Sequence, residues 1–513
     1  MEESRIVKTK KNAITAIAQN ILNILLSLLT RIIFVRVLSS EYLGINGLFS
    51  NILNVLSLAD LGMQTAMMYS LYKPIAEKDT DKIKSLVSFF KKIYLGIAFV
   101  IFIVGIAITP FLKYIINMDR EIPHLNIYYI LALVNIVISY LFIYRTTLVT
   151  ADQKSYILNK YIMLFKVVTF VAQIVLLLLF RNYFIYLLAA IIISLISNLY
   201  QNRAALNLYP FLREKERQQG LDKKEKDKII IDIKSLFIYK ISGTIQNNTD
   251  NILISVYTGT VYVGYYSNYT IVTTAIISVL TLIFTSVKAS VGNIIASNDT
   301  GLEQKEFYYW VLEMINYWIV AFGSICCVCL FQDFIKIFFG EEYILNMEIV
   351  IAIVLNFYTN FIRQTIWTFR ETTGIFHETR FITTVTACLN VILSVIAGYF
   401  YGMLGILAAT VLSRMLYAWW KEPCIMFEKY FQKSAIKYYT TYIKRFILCV
   451  ITAAITYSLC MLFNNFDIYV SFMWKIIICG LIPNVIFVFY FRKSNEYQYV
   501  YYKLVLPMIK KIK

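Results

Sequence analysis

Arginines, lysines and carboxylates fall in this chain within long apolar stretches: Arg31, Asp60, Lys166, Lys240, Asp250, Arg363 and Arg414. A charge at the middle of a membrane helix costs about 2.5–3.5 kcal/mol on insertion scales, so each is expected to face protein or water. Their spacing is ordered. Gln19, Asn23, Ser27 and Arg31 recur at steps of four, which draws one polar stripe down a single helical face. Lys166 and Gln173 share a face seven residues apart, Asp60 precedes Gly62, and Lys240 leads into the polar run 246–251 that contains Asp250. Within this set cations outnumber anions, and buried positive charge in excess calls for an anionic partner. Phosphate fits, because guanidinium and ammonium groups bind it through charge-assisted hydrogen bonds. The plainer chemistry is internal pairing, Asp60 with Arg31 and Asp250 with Lys240 or Arg363, which joins helices and binds nothing else.

The elements that position these groups are apolar runs long enough to cross a bilayer. A hydrocarbon core of about 30 Å takes roughly twenty helical residues, and 14–38, 43–71, 93–114 and 128–149 all reach that length. Fourteen candidate spans follow, at 13–38, 42–70, 86–114, 124–150, 156–180, 183–205, 235–258, 264–290, 306–331, 347–370, 379–400, 402–424, 439–463 and 472–491. Apolar residues make up 59% and charged residues 16%, with a mean hydropathy of +0.64. That composition excludes an ordinary soluble domain. The predicted class is an all-α polytopic membrane protein.

The net charge of +18 is not a nucleic-acid footprint, because it is spread over short loops. Lys8, Lys10 and Lys11 precede the first span, and Lys73, Lys78, Lys82 and Lys84 follow the second. Residues 213–234, 421–445 and 492–513 carry most of the rest, while the intervening loops hold almost no cations. Basic loops stay cytoplasmic, which predicts an even number of spans with both termini inside. The first run is too long for a cleaved signal and reads as a signal anchor. Cys326, Cys327, Cys329, Cys388, Cys424, Cys449, Cys460 and Cys479 lie in or at the ends of spans without metal-ligand spacing. They read as small apolar packing residues, so no metal site is expected. The many tyrosines, as at 128–129, 438–439 and 499–502, suit interfacial belts.

The chain also resembles itself at a period near 220 residues. Leu43-Gly44 corresponds to Val263-Gly264, residues 76–80 to 296–300, and Tyr144-Arg145 loosely to Phe369-Arg370. Six spans separate equivalents, so the halves have parallel topology, a transporter plan with a site between repeats. The predicted organisation is an N-terminal lobe (1–205, spans one to six), a charged linker (206–234), a C-terminal lobe (235–430, spans seven to twelve), and two extra spans with a basic tail (431–513). The linker reads either as a solvated, orientation-setting connection or as a basic helix on anionic headgroups.

Together, Leu43-Gly44, Ala59-Asp60-Leu61-Gly62, Thr150-Ala151-Asp152-Gln153-Lys154, Asn248-Thr249-Asp250 and the run 263–269 resemble Wzx-type polysaccharide-repeat-unit flippases. These belong to the multidrug/oligosaccharidyl-lipid/polysaccharide exporter superfamily, and the likeness covers essentially the whole chain. It implies two six-helix lobes around a cation-lined cavity that opens to each side of a bacterial cytoplasmic membrane in turn. The implied cargo is an undecaprenyl-diphosphate-linked oligosaccharide for capsule, O-antigen or exopolysaccharide. A polymerase and chain-length machinery are the implied partners beside the membrane lipids. On this resemblance Arg31, Lys240 and Arg363 contact the diphosphate or acidic sugars, with Lys166 and Arg414 as further candidates. Asp60 and Asp250 hold those cations or bind a coupling proton or sodium ion, and no other cofactor is expected. No Gly-x-x-x-x-Gly-Lys-Ser/Thr loop is present, which speaks against direct ATP hydrolysis. An ion-coupled small-molecule exporter is the first alternative. A repeat-unit polymerase or ligase is the second, disfavoured by short outer loops and the lack of a catalytic constellation; the chain is not expected to be an enzyme.

Overall fold

All regular structure among the described residues of the computed structural model is helical. Those residues are 5–57, 63–116, 122–213, 221–223, 225–227, 229–230, 248–296, 301–373 and 375–505. Ten helices are long and apolar enough to cross a membrane, or eleven when one bent pair is taken as a single span. The fourteen expected spans are not reached on that count. The seventh lies largely and the second partly (58–62) outside the described residues, and the eleventh and twelfth fall within one stretch, Phe381–Phe431. The chain is a multi-pass all-α membrane protein.

A helix leaves free backbone groups at each end, and side chains at the starts of several helices satisfy some of them. Asp79 accepts from the Lys82 amide, Asn182 from those of Phe184 and Ile185, and Asp467 from that of Tyr469. Each is a side-chain cap at a helix start. One long helix is broken by conformation instead. Gly402, at φ 55° and ψ −137°, adopts a backbone closed to residues with a Cβ, and there the eleventh predicted span ends and the twelfth begins.

By contact the chain divides into two units, Met1–Gly264 and Tyr265–Lys513. The first contains α1 (Arg5–Val37), α2 (Ser40–Leu56), α3 (Met63–Glu77), α4 (Thr80–Ile108), α5 (Leu112–Ile115), α6 (Leu125–Tyr140), α7 (Ile143–Ala151), α8 (Ser155–Phe180), α9 (Tyr183–Leu208) and α10 (248–257). Helix α8 packs on both α1 and α9, and α6 on both α4 and α9. Helices α6 and α7 meet at a break of two residues, where the chain bends by 46°.

The division lies beyond the 206–234 linker where the sequence suggested it, because the chain from α10 to Gly264 packs with the N-terminal helices. Ser255 Oγ donates to the Ile115 carbonyl at 2.7 Å and pairs with Thr260 Oγ1 at 2.7 Å. Thr260 opens α11 (Thr260–Ala296), which continues into the second unit. A Cβ on Gly44 would stand 2.2 Å from the Thr260 carbonyl oxygen, so only glycine permits that approach. Gly47 faces Val263 at ordinary van der Waals distance. The repeat-matched starts of α2 and α11 are thus neighbours.

The second unit is built around α12 (Leu302–Phe338), which contacts α13 (Met347–Phe361), α14 (Gln364–Thr373), and the C-terminal pair α17 (Ile436–Met461) and α18 (Ile468–Phe491). Between them lie α15 (Phe376–Ser413) and α16 (Trp419–Met426), the latter flanked by π-helical turns at Arg414–Ala418 and Phe427–Phe431. Tyr309, Tyr317, Phe331, Phe369, Phe427 and Phe487 are fully enclosed in this unit. Apolar side chains gain little by leaving lipid for such an interior, so packing and polar links must hold the helices together.

Candidate functional site

Helix α1 has two faces. Ile14, Ile17, Ile21, Leu25 and Leu29 are exposed and apolar, as a lipid-facing stripe requires. Gln19, Asn23, Ser27 and Arg31 run down the opposite side, where Gln19, Asn23 and Arg31 are half-buried and Ser27 exposed. The N-terminal part of α1 is tied to α8 by polar contacts. Asn12 donates to the Gln153 carbonyl at 2.8 Å and accepts from the Tyr156 amide at 2.9 Å, and Asn159 donates to Thr15 Oγ1 at 3.1 Å. Arg31 Nη2 reaches the Gly264 carbonyl at 3.5 Å, the outer limit of a hydrogen bond, and acts electrostatically on Tyr186.

Tyr186 is one wall of a cavity of about 240 Å³ inside this unit. Asn46, Ser50 and Asn54 of α2, Asn135 of α6 and Gln173 of α8 supply its other polar groups, and no lining residue is acidic or basic. Carboxamides and hydroxyls offer both donors and acceptors. The cavity therefore suits a neutral polyol or amide better than a bare ion. Sequence reasoning singles out Gln173 but not the others. The signal is present: Asn46, Ser50 and Asn54 step by four along α2, as Gln19, Asn23 and Ser27 do along α1.

Several buried charged groups of the second unit form pairs. Arg363, 4% exposed, donates through Nη1 to Glu422 Oε2 at 3.0 Å, and Arg370 lies 3.5 Å from the other carboxylate oxygen. Trp367 donates to the same Glu422 at 3.2 Å, and the Arg363 guanidinium lies over its ring. Arg363 is thus paired with Glu422. Arg414, also buried, donates to the Asn356 carbonyl at 3.2 Å and to its Oδ1 at 2.9 Å.

Three acids of α12 likewise escape the sequence reading. Glu313 pairs with Arg445 of α17, Asp333 with Lys475 of α18 at 2.6 Å, and Glu306 with Lys433 and Lys437 at 2.6 and 3.3 Å. The Lys433 ammonium, which lies between the long helices, is raised above its ordinary pKa by its hydrogen bond to Glu306. Intramembrane acids are the detectable signal here, since the insertion penalty applies to them as to cations.

Two of the remaining candidates, Lys166 and Asp250, lie on different helices. Lys166 is exposed on α8 beside exposed Val167 and Val168. Asp250 is buried in α10. Asp60 and Lys240 lie outside the described residues. The motif at 150–154 is structural in this fold: Asp152 accepts from the Tyr209 hydroxyl at 2.8 Å and pairs with Lys154 at 2.7 Å. That pins the α7–α8 turn to the end of α9. Burial and the neighbouring Asp152 carboxylate push the Tyr209 phenol above its ordinary pKa.

Comparison with known proteins agrees with this architecture. No curated protein matches the sequence. Among solved structures, the lipid II flippase MurJ in an inward closed conformation superposes with a TM-score of 0.66 at 15% identity, covering 94% of this chain and 98% of that chain. An inward-facing multidrug resistance MATE family transporter of the MOP superfamily gives 0.62 at 14% identity, covering 79% and 95%. A mutant of the Vibrio cholerae MATE transporter VcmN gives 0.56 at 10% identity, covering 83% and 100%. At these identities the likeness establishes the fold alone. Residues 9–288, more than half of the chain, match the family described as polysaccharide biosynthesis protein, and to that family this chain belongs.

Proposed function

We propose that this protein is a flippase that turns an undecaprenyl-diphosphate-linked oligosaccharide repeat unit from the inner to the outer leaflet of a bacterial cytoplasmic membrane. Its polar groups open to the two sides in alternation, and both termini stay in the cytoplasm. The observation that carries this reading is the amide- and hydroxyl-lined cavity of the first unit, with Arg31 acting on its Tyr186 wall. Neutral donors and acceptors serve a glycan, and a neighbouring guanidinium serves a diphosphate or an acidic sugar. A cationic drug would gain most from a carboxylate, and the cavity lining has none. The second unit offers a complementary surface, an apolar pocket of about 380 Å³ walled by Val328, Ile351, Val354, Phe446, Val450 and Ala453 among others, which matches an isoprenoid chain.

In this reading Arg31 and Lys240 contact the anionic part of the cargo, while Arg363 and Arg414 shape the second unit that moves with it. A proton or sodium ion at Asp60 or Asp250 supplies the coupling. A ligand can favour one facing only by binding it better, so the ion must meet a site that differs between facings. A repeat-unit polymerase and chain-length machinery act downstream. The test is made in cells depleted of the protein, where polyprenyl-diphosphate lipids are isolated and sorted by leaflet. An oligosaccharide-loaded species should build up in the cytoplasmic leaflet, relieved by wild type and not by Arg31→Ala or Lys240→Ala. Unchanged lipid pools with altered efflux of a small molecule would instead establish an exporter.

A further inference from the structure

Three cysteines of the second unit converge from three helices. Cys329 of α12, Cys460 of α17 and Cys479 of α18 are buried, and their sulfurs all lie within 4.8 Å of one another. Their sequence separations hide this, because each comes from a different helix and none shows ligand spacing. We propose that this cluster is a binding site for one soft monovalent cation, cuprous copper, independent of the transport reading.

Three observations support it. Thiolate sulfurs held about 2.3 Å from a shared metal in a trigonal plane stand about 4.0 Å apart, within the separation seen here. The donor set contains sulfur alone, which selects a soft ion, and three donors suit three-coordinate copper better than tetrahedral zinc. Cys329 and Asp333 are one turn apart on α12, Lys475 and Cys479 one turn apart on α18, and Lys475 pairs with Asp333 at 2.6 Å. That pair is neutral as a whole, so binding of the metal itself must expel the thiol protons. Cys460 is the penultimate residue of α17, and the turn at 462–467 that follows it is largely exposed, which gives the ion and the protons a route. Simple packing of small apolar side chains also buries cysteines, and the experiment must separate the two.

The full-length protein, reduced and anaerobic in detergent, is titrated with cuprous ion against a chromophoric cuprous chelator. One equivalent per chain should resist the chelator and develop sulfur-to-copper charge-transfer absorption. Cys329→Ser, Cys460→Ser and Cys479→Ser should each weaken retention by more than about tenfold, since even changes outside the ligand shell cost that much. Cys388→Ser and Cys424→Ser should leave it unchanged. Retention no better in wild type than in the triple serine variant, or insensitive to the three substitutions, overturns the site. Should the variants not fold, X-ray absorption on the copper-loaded wild type decides. Three sulfur neighbours at about 2.3 Å uphold the proposal, and oxygen or nitrogen neighbours, or only two sulfurs, sink it.

Discussion

Arg363, Arg370 and Trp367 all address Glu422 within a closed interior. Removing one partner of a buried pair leaves the other charge uncompensated, at about 3–5 kcal/mol, whereas replacing the set by apolar groups is often neutral. Glu422→Gln should therefore lower the thermal midpoint of the detergent-purified protein sharply. Adding Arg363→Met to Glu422→Gln should recover part of that loss, and strictly additive losses would show that the two residues do not interact. A different outcome is expected at the amide-lined cavity. Asn54 is exposed, so Asn54→Leu should change the stability by no more than about 0.5 kcal/mol, as surface changes do. The same substitution should raise the amount of glycan-loaded lipid in the cytoplasmic leaflet. Unchanged lipid pools in that variant would remove the cavity from the transport path.

At the scale of elements, the join between α2 and α11 is the tightest described approach in the first unit, and it rests on the missing side chain of Gly44. Gly44→Ala places a carbon 2.2 Å from a backbone oxygen, which no rotamer can relieve, so the two helix starts must separate. Its monodisperse yield in fluorescence-detected size exclusion should fall well below that of wild type. Gly96→Ala, with nothing within 4 Å, should match or exceed wild type, because alanine is the better helix former by about 1 kcal/mol. Equal yields for both variants would mean the close approach is absent in the membrane. Most helices are legible in the sequence because hydrocarbon demands twenty apolar residues wherever the chain crosses, and the repeat even marks Leu43-Gly44 and Val263-Gly264 as equivalents. Their contact is not legible, since periodicity reports faces and not neighbours. The same limit explains the candidate residues. Spacing alone places Arg31 on a polar stripe, while the Glu422 partner of Arg363 sits 59 residues away and only folding joins them.

At the scale of the whole molecule, the spans beyond the predicted 6+6 core are bound into the second unit by charge. Arg445 of α17 pairs with Glu313, Lys475 of α18 with Asp333, and both acids belong to α12. Neutral bonds run alongside, from the Tyr317 hydroxyl to the Arg445 carbonyl at 2.8 Å and from Trp318 Nε1 to Asn484 Oδ1 at 2.8 Å. The start of α17 and the turn before it add Lys437 and Lys433 on Glu306, but both lysines are half or more exposed, and exposed pairs contribute little. Ending the chain after Ser434 would thus leave Glu313 and Asp333 on the central helix without partners and open to lipid, where a charged side chain costs about 2.5–3.5 kcal/mol. That truncation should yield no monodisperse protein. Neutralising the stranded acids, with Glu313→Gln and Asp333→Asn in the truncated chain, should restore part of the yield. Co-expressing residues 435–513 as a separate chain should restore it without any substitution. Should the plain truncation accumulate as well as the full chain, α17 and α18 are a loosely attached appendage. Should it fail and be rescued by the separate chain, they are the wall against which the second unit is built.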